Sequence, residues 1–312
     1  MVNSNPTVEI LMATYNGESY LKQQLDSFFD QTFRDWFISV RDDGSSDGTL
    51  EILRKANVSN PGMMHVSKGR CLKTLGNFEF LLQQAKADYM LFSDQDDVWM
   101  PTKIDSLFNV MKTLEKEYGQ QTPLLVHSDA TVVDHNLSHI HKSLWQYQNT
   151  NPITGSSLCR LLVQNTITGC TMMINRALRD AALPFPPEAM MHDWWLALVA
   201  SALGKIGIVP EATVLYRQHE NNQIGAGVGG LTSLMDRLRH GRKVEETIRC
   251  LQAQAGALLR MHKDALSPSQ IEMLTIYSKL HTFGFFRRRY YRIRYGFLYE
   301  GFVKNVGRIL AG

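Results

Sequence analysis

The chain has 312 residues, of which 44% are hydrophobic and 20% are charged. A chain of this length and composition can bury a large core, which excludes disorder as the overall class. Its formal net charge of +3 is too small to indicate a nucleic-acid-binding protein. The length predicts either one large domain with an appendage or two domains.

The four cysteines form neither a Cys-x-x-Cys pair nor a Cys/His zinc pattern; they are Cys71, Cys159, Cys170 and Cys250. We therefore expect reduced thiols and a reducing compartment. Residues 1–7 lack the apolar segment of a signal peptide, and no run of about 18 apolar residues predicts a membrane span. Together these features predict a location in the cytoplasm or on the cytoplasmic face of a membrane.

In the first half of the chain, short apolar runs alternate with segments of helical spacing. Such runs predict buried strands, and such spacing predicts amphipathic helices. The predicted strands are 8–14, 36–40, 63–66, 89–93 and 124–127, and the predicted helices are 18–30, a stretch beginning at Asp47, 77–86 and 101–118. This alternation predicts an α/β fold with a doubly wound, mostly parallel sheet.

Polar side chains directly follow three of the predicted strands. In open α/β sheets, ligands bind beyond the carboxyl ends of the strands, so these side chains are expected to form one site. The three clusters are Thr14, Tyr15 and Asn16; Asp42, Asp43 and Gly44; and Asp94, Gln95, Asp96 and Asp97.

The crowding of Asp94, Asp96 and Asp97 at one strand end indicates a metal site. Closely spaced carboxylates repel one another, and a divalent cation relieves that repulsion. Oxygen ligands suit Mg²⁺ or Mn²⁺, with substrate phosphates completing the coordination shell. The alternative is that these aspartates only cap helices and form turns, a role that Asp47 and Asp97 fit well.

Three segments then carry a family resemblance: ATYNGESYLKQQLDSFFDQTF (13–33), RDDGSSDGT (41–49) and FSDQDDVWMPTKI (92–104). In order and spacing they resemble the family 2 glycosyltransferases of the GT-A fold, as do MHDWWLAL (191–198) and YRQHENNQIGA (216–226). The resemblance covers roughly residues 6–226. Within the family, the stretches GNFEFLL and NTITGCTMMIN are most similar to bacterial rhamnosyltransferases that build cell-surface polysaccharides.

The resemblance implies a nucleotide-sugar donor site at the strand ends. In that site Ala13 and Tyr15 would lie against the base, and Asp43 would hydrogen-bond its edge. Asp94 would face the ribose or the sugar, and Asp96 would bind the metal that bridges the diphosphate. The remaining donor-site candidates are Thr14, Asn16, Asp42, Asn77, Gln95 and Arg217.

Two of these implied roles have structural alternatives. Asn77 can instead be a helix cap, and a lone histidine such as His219 is usually structural. The family motif favours His219 as a second metal ligand near the diphosphate, which would suit Mn²⁺ better than Mg²⁺. Arg217 is a candidate partner for the diphosphate charge.

Asp193 is the candidate catalytic base, because the family places a carboxylate at this motif to deprotonate the acceptor hydroxyl. Its alternative role is to cap the apolar helix predicted at 194–203. Trp194 and Trp195 either form a stacking wall for the acceptor sugar or belong to the core. The family implies a single inverting displacement, which would convert dTDP-β-L-rhamnose into an α-L-rhamnoside.

The last third of the chain differs in composition. It predicts helices at 231–240, 244–262 and 268–280, and we divide the chain into a transferase domain, 1–228, and a helical region, 229–312. Residues 283–312 hold seven Arg or Lys and one Glu, interleaved with aromatic residues. This stretch fits the interface of an anionic membrane, a base-stacking surface, or packing on its own domain or a second subunit.

The expected activity is thus metal-assisted transfer of a sugar to a hydroxyl of a growing, lipid-linked surface polysaccharide, with L-rhamnose the favoured sugar. The alternatives are a UDP-hexose donor and a non-catalytic sugar-nucleotide-binding partner. A nucleotidyltransferase would need a glycine-rich, basic phosphate loop near the N-terminus, which the ATYNGE segment does not provide.

Overall fold

A computed structural model of the chain describes residues 7–219 and 234–299, with side chains described from 245 onward in the second stretch. The strands are β1 Val8–Thr14, β2 Trp36–Asp42, β3 Met64–Lys68, β4 Tyr89–Ser93, β5 Val98–Trp99, β6 Leu124–Val133, β7 His139–His141, β8 Met172–Asn175 and β9 Lys205–Arg217. The helices are α1 Leu21–Phe29, α2 Thr49–Ser59, α3 Lys73–Gln84, α4 Lys103–Tyr118, α5 Leu144–Tyr147, α6 Pro152–Gly155, α7 Leu158–Leu161, α8 Arg176–Ala182, α9 His192–Leu203, α10 Leu234–His262, α11 Pro268–Ser278 and α12 Phe285–Arg294. Two strand predictions, at 8–14 and 89–93, are confirmed to the residue.

All the strands of the described residues form one curled sheet in the order β3-β2-β1-β4-β8-β6-β9-β5, with β7 paired to β6. The strands β3, β2, β1 and β4 are parallel, and β6 is parallel to β9. Between these two groups lies β8, which runs antiparallel to both β4 and β6. The α/β fold is therefore confirmed, and the carboxyl ends of β1, β2 and β4 meet at one edge.

Helices cover both faces of this sheet, as a doubly wound fold requires. On β1, Ile10 and Met12 join the core formed with α1, α2 and α4, whereas Leu11 joins the core on the opposite face. That second core contains side chains of α3, α8 and α9. Because successive side chains of a strand point to opposite faces, one short apolar run anchors both layers.

The strand predicted at 124–127 continues to Val133 as β6. The apolar pattern stops early because the next residues are polar, yet they are buried and paired. The hydroxyls of Ser128 and Thr213 lie 2.6 Å apart, and Asp129 accepts the N–H of Leu144 at 3.0 Å. Buried polar groups that find partners can continue a central strand.

In the C-terminal region, the predicted break between helices at 240 and 244 is wrong. The backbone runs as one helix, α10, and residues 231–233 of the prediction lie outside the described residues. Leu258 of α10 and Tyr277 of α11 pack in the same core as Trp195 of α9. The predicted domain boundary at 228 lies outside the described residues. None of the helices in the described stretches is long and apolar enough to cross a bilayer.

Gly204, between α9 and β9, lies in close contact with the backbone of Pro123, the residue before β6. A Cβ on this residue would lie 1.7 Å from the carbonyl oxygen of Pro123, whose position is fixed by the N–H of Lys205 at 3.0 Å. We expect Gly204→Ala to lower the free energy of unfolding by about 2 kcal/mol or more, because backbone must move to admit the methyl group. Urea denaturation followed by circular dichroism measures the change.

The control is Gly256→Ala within α10, where the nearest atom would be 3.5 Å from the new Cβ. This substitution is expected to leave stability unchanged or slightly raised, since alanine favours helix over glycine. Equal stability of the two variants would contradict the close contact at Gly204.

Candidate functional site

The turn after β1 is fixed by the side-chain amide of Gln95. Gln95 Oε1 accepts the N–H of Tyr15 at 2.8 Å, and Gln95 Nε2 donates to the Tyr15 carbonyl at 2.9 Å. Asn16 follows with a φ of 47°, in the left-handed region that asparagine tolerates. The Tyr15 side chain is 55% exposed and Ala13 is partly buried, so the strand end offers an aromatic ring to solvent.

Asp42, at the end of β2, holds together the loop that follows. Its fully buried carboxylate accepts Thr14 Oγ1 at 3.0 Å and the N–H groups of Gly44 and Ser45 at 3.0 and 2.9 Å. Gly44 has a φ of 93°, which glycine adopts without strain. Asp42 and Thr14 thus shape the donor-site loop, and direct contact of either with a ligand stays a prediction.

Asp43 is held in place by hydrogen bonds from several directions. Its carboxylate accepts the N–H groups of Leu72 at 2.7 Å and Lys73 at 3.0 Å, and the Cys71 thiol at 3.1 Å. Burial raises the pKa of Asp43, but these hydrogen bonds outweigh burial and bring the pKa below its usual value. Asp43 is therefore an ionised, pre-oriented acceptor at neutral pH.

A buried cation, Arg41, completes this arrangement. Its guanidinium is paired with Asp43 at 3.0 Å, donates to the Arg70 carbonyl at 2.9 Å, and donates to the amide oxygen of Asn77. Asn77 is not a helix cap, because α3 begins at Lys73. Arg41 was not predicted as a site residue, although its position directly before two aspartates was the available signal.

Arg217, at the end of β9, holds the backbone of the segment that follows β4. Its guanidinium donates to the carbonyls of Asp96 at 2.6 Å and His135 at 2.5 Å, and to Gln23 Oε1 at 2.6 Å. It also lies over the ring of Tyr20 and is 1% exposed. The structure gives Arg217 this scaffolding role, and its contact with a diphosphate stays a prediction.

Asp96 and His219 form a pair at the site. Asp96 Oδ2 and His219 Nε2 lie 2.8 Å apart, and the two side chains are 19% and 12% exposed. The ring of His219 is oriented by stacking on Tyr20, with centroids 4.9 Å apart. Two ligands at about 2.1 Å from one octahedral ion would be about 3 Å apart. The Asp96–His219 pair therefore fits two protein ligands of a divalent cation.

A second cluster, of two carboxyl groups and a thiol, has Asp97 and Cys170 buried and Asp94 partly buried. Ligand atoms of Asp94, Asp97 and Cys170 all lie within 4.8 Å of one another. Burial first, and then the charge of Asp96, raise the pKa of Asp97 to about 7, and the same causes raise that of Asp94 well above its usual value. A thiol suits Mg²⁺ or Mn²⁺ poorly, so this cluster fits those ions less well than Asp96 and His219 do.

Lys103, which interacts electrostatically with Asp94 and Asp97, was also not predicted as a site residue. Lys103 is fully buried, with its ammonium 3.4 Å from the ring centroid of Trp99 and bonded to the Cys170 carbonyl. Burial lowers the pKa of Lys103 to about 7, and the charges of Asp97 and Asp94 oppose that shift. A lysine two residues after a proline gave no sign of burial, because lysine is usually exposed.

Asp193 lies in the first turn of α9, with Met191 at the cap position. Its carboxylate accepts the N–H of Trp194 at 2.6 Å and that of Gly169 at 3.2 Å. Burial raises the pKa of Asp193 to about 6, although these hydrogen bonds lower it. Its negative charge is one of the causes that raise the pKa of Asp94, and a shared site for the two carboxylates stays a prediction.

His192, to which the sequence assigned no role, is buried next to Asp193 in the chain and packs against Phe78 and Gly169. Among the described residues, neither of its ring nitrogens has a hydrogen-bond partner, and burial lowers its pKa to about 3. Its neutral ring stacks on Phe78 at 3.9 Å and occupies the space where a side chain of Gly169 would lie. Because Gly169 has no side chain, its backbone packs against His192 and its N–H reaches the Asp193 carboxylate at 3.2 Å.

The two tryptophans after Asp193 have different surroundings. Trp195 is fully buried and donates its indole N–H to the Ala182 carbonyl at 3.0 Å, so it is a core residue rather than an acceptor contact. Trp194 is partly buried and donates to the Leu161 carbonyl at 2.6 Å. Trp194 remains the acceptor-side candidate.

The chain belongs to glycosyl transferase family 2, whose sequence model matches residues 9–180. It is a glycosyltransferase. A dTDP-rhamnosyl transferase, RfbG of Shigella flexneri, is 28% identical over 223 residues, which cover 70% of this chain and 74% of the relative. The putative teichuronic acid biosynthesis glycosyltransferase TuaG of Bacillus subtilis (strain 168) is 25% identical, over 71% of this chain and 83% of the relative.

Solved structures confirm the GT-A fold. Residues 1-349 of S. aureus TarS in complex with UDP-GlcNAc match with a TM-score of 0.56 and 18% identity, over 87% of this chain and 71% of that one. A mannosyltransferase, PcManGT from Pyrobaculum calidifontis, in complex with GDP-Man and Mn2+, matches with a TM-score of 0.51 and 15% identity, over 97% and 88%.

The buried pair of Arg41 and Asp43 predicts a large effect on stability. We expect Arg41→Met to lower the free energy of unfolding by about 3 kcal/mol, because it leaves the buried Asp43 carboxylate without its cation. Chemical denaturation at pH 7 measures the loss.

The matched control is Arg54→Met, which removes an exposed pair with Glu51 whose side chains are 63% and 50% exposed. It is expected to cost less than about 0.5 kcal/mol. Similar losses for the two variants would mean that the Arg41 pair does not organise the site.

Proposed function

We propose that this glycosyltransferase moves L-rhamnose from dTDP-β-L-rhamnose to a hydroxyl of a growing, lipid-linked surface polysaccharide. The rhamnose donor is supported by the similarity to a dTDP-rhamnosyl transferase over 70% of the chain. A UDP-hexose is the second candidate donor, because the structurally similar TarS holds UDP-GlcNAc. Both proposals place the reaction on the cytoplasmic face of the membrane.

The donor nucleotide would bind where β1 and β2 end. The exposed ring of Tyr15 offers a surface for the base, and the ionised carboxylate of Asp43 would accept an N–H on its edge in place of the Cys71 thiol, the weakest of its present donors. Because Gln95 holds both the N–H and the carbonyl of Tyr15, the backbone that carries the ring is fixed before the donor binds. Preorganisation of this kind reduces the entropy lost on binding.

The diphosphate would lie next to Asp96 and His219, which would hold Mn²⁺ or Mg²⁺ through Oδ2 and Nε2. Such an ion neutralises charge on the departing nucleoside diphosphate. Asp96 is ready for this role because Arg217 fixes its backbone while His219 fixes its carboxylate. Two protein ligands leave room for phosphate oxygens in the coordination shell.

Asp193 would remove the proton of the acceptor hydroxyl, which then attacks the anomeric carbon as the nucleoside diphosphate leaves. A base with a pKa near the working pH combines a large ionised fraction with useful basicity, and burial gives Asp193 a pKa of about 6. The observation that carries the proposal is this buried carboxyl in the first turn of α9, held in place by the N–H groups of Gly169 and Trp194. A single displacement would invert the anomeric centre and give an α-L-rhamnoside.

Asp96→Ala tests the metal site. We expect Mn²⁺ to increase dTDP-rhamnose binding by the unchanged protein but not by the variant, and we expect turnover to fall by about 100-fold or more. Calorimetry measures binding, and the release of dTDP measures turnover. Asp26→Ala, in the exposed pair with Lys22, is the control and should change neither. Metal-dependent binding by Asp96→Ala would refute the assignment.

Asp193→Asn tests the base. The amide keeps the size of the side chain but cannot take up the proton, so donor binding is expected to persist while transfer falls by between about 100- and 10,000-fold. Normal transfer by this variant would rule out Asp193 as the base.

The pH dependence of transfer provides a second test of Asp193. Only the ionised carboxylate accepts a proton, so transfer should decline tenfold per pH unit below the pKa of about 6. The residual activity of Asp193→Asn should lack this decline. An unchanged pH profile in the variant would assign the titration to another group.

A further inference from the structure

The outer face of α12 carries large apolar side chains. Phe286 is 83% exposed, Ile293 is 62% exposed and Tyr290 is 57% exposed. Because these residues are spaced i, i+4 and i+7, they form one stripe along the helix. Exposed apolar side chains that form a contiguous patch mark interaction surfaces more often than chance.

Arginines lie on both sides of this stripe. Helical geometry places Arg289 on one side of it and Arg287 and Arg294 on the other, and both Arg287 and Arg294 are exposed. The guanidinium of Arg289 lies 3.2 Å from the ring centroid of Phe285. The α12 segment contains five arginines and no acidic residue. An apolar stripe bordered by cations matches the boundary between lipid headgroups and acyl chains.

The opposite face of α12 is anchored on the protein. Arg292 is 5% exposed, and Tyr291 packs against the core that also holds Tyr277 and Phe297. Tyr295, just after the helix, donates its hydroxyl to Glu272 at 2.6 Å. Packing on its own domain, one of the three sequence alternatives, thus accounts for one face only.

A short series of contacts connects α12 with the acceptor side of the site. Arg160 of α7 donates to the carbonyl of Leu298, which follows α12, at 2.7 Å. At the end of the same short helix, the Leu161 carbonyl accepts the indole N–H of Trp194, next to Asp193. Through Leu298, the end of α12 is therefore hydrogen-bonded to α7, and α7 is hydrogen-bonded to Trp194, the neighbour of the candidate base.

We propose that α12 docks the enzyme on an anionic lipid bilayer, with Phe286, Tyr290 and Ile293 in the interface and the arginines on the headgroups. Each cation near an anionic surface adds to the attraction, and aromatic side chains favour the interfacial layer. The consequence for catalysis, which rests on the proposed function, is that a lipid-linked acceptor would reach Asp193 from the surface that α12 holds.

The test is co-sedimentation of the full chain with vesicles, without sugar nucleotide. The vesicles are either pure phosphatidylcholine or phosphatidylcholine with phosphatidylglycerol. We expect binding to the anionic vesicles that weakens with salt, and at least about tenfold weaker binding by Phe286→Ser/Ile293→Ser. Arg287→Gln/Arg294→Gln should lose the preference for anionic lipid. The matched control, Val58→Ser/Ile153→Ser, removes two aliphatic side chains that are 67% and 74% exposed elsewhere and should bind normally.

Several results would overturn the proposal. They are no binding of the unchanged protein to anionic vesicles, unchanged binding by the Phe286/Ile293 variant, and equal loss in the Val58/Ile153 control. Self-association that the Phe286/Ile293 variant abolishes, without lipid binding, would instead assign α12 to contact with a second copy of the chain.

Failure of the lipid-docking proposal can be distinguished from failure of the proposed function. Transfer to a water-soluble acceptor analogue should be unchanged in the Phe286→Ser/Ile293→Ser variant, because both substituted side chains are exposed at the surface, by 83% and 62%. Lipid binding without any transfer would sink the proposed donor or acceptor but leave the docking surface intact. Transfer without lipid binding would refute the docking surface and leave the proposed donor and acceptor intact.

Discussion

The site depends on holding several carboxylates together in a partly buried place. Asp94 and Asp97 both have raised pKa values, because burial and neighbouring negative charge penalise their ionised forms. The chain offsets this repulsion with Lys103, which is buried among the carboxylates, and with Arg217, whose backbone N–H bonds Asp97 at 3.0 Å. Breaking such an arrangement would leave uncompensated buried charge, so the surrounding elements are constrained to keep it.

The order of the sheet follows from the same need. The parallel strands β2, β1 and β4 bring Asp43, Tyr15 and the carboxylate segment to one edge of the sheet. The strand β9, which pairs with β6, ends at Arg217, and the Arg217 guanidinium donates to the Asp96 carbonyl in that segment. The helix α9 then supplies Asp193 from the opposite layer. The candidate site therefore combines elements that are distant in sequence.

Much of this could be predicted from the sequence, because apolar periodicity reports which segments are buried and the strand-end rule reports where ligands bind. The strands at 8–14 and 89–93 and the clustering of polar residues after them follow from those two rules. The buried cations could not be predicted in this way, because the burial of Arg41 and Lys103 depends on contacts with residues far along the chain, such as Asn77 and Cys170. Likewise, the polar residues of β6 concealed the continuation of the strand predicted at 124–127, and only packing distinguishes the anchored face of α12 from its exposed face.

The central claim is that these charges form a metal-dependent site for dTDP-rhamnose. Calorimetric binding of dTDP-rhamnose, UDP-glucose, UDP-galactose and UDP-GlcNAc to the purified protein, with and without Mn²⁺, tests it most directly. We predict that dTDP-rhamnose binds only when Mn²⁺ is present and that the UDP-sugars bind more weakly. Selective binding of a UDP-sugar would contradict the rhamnose donor while keeping the enzyme class, and no binding of any donor by the folded protein would contradict the donor site itself.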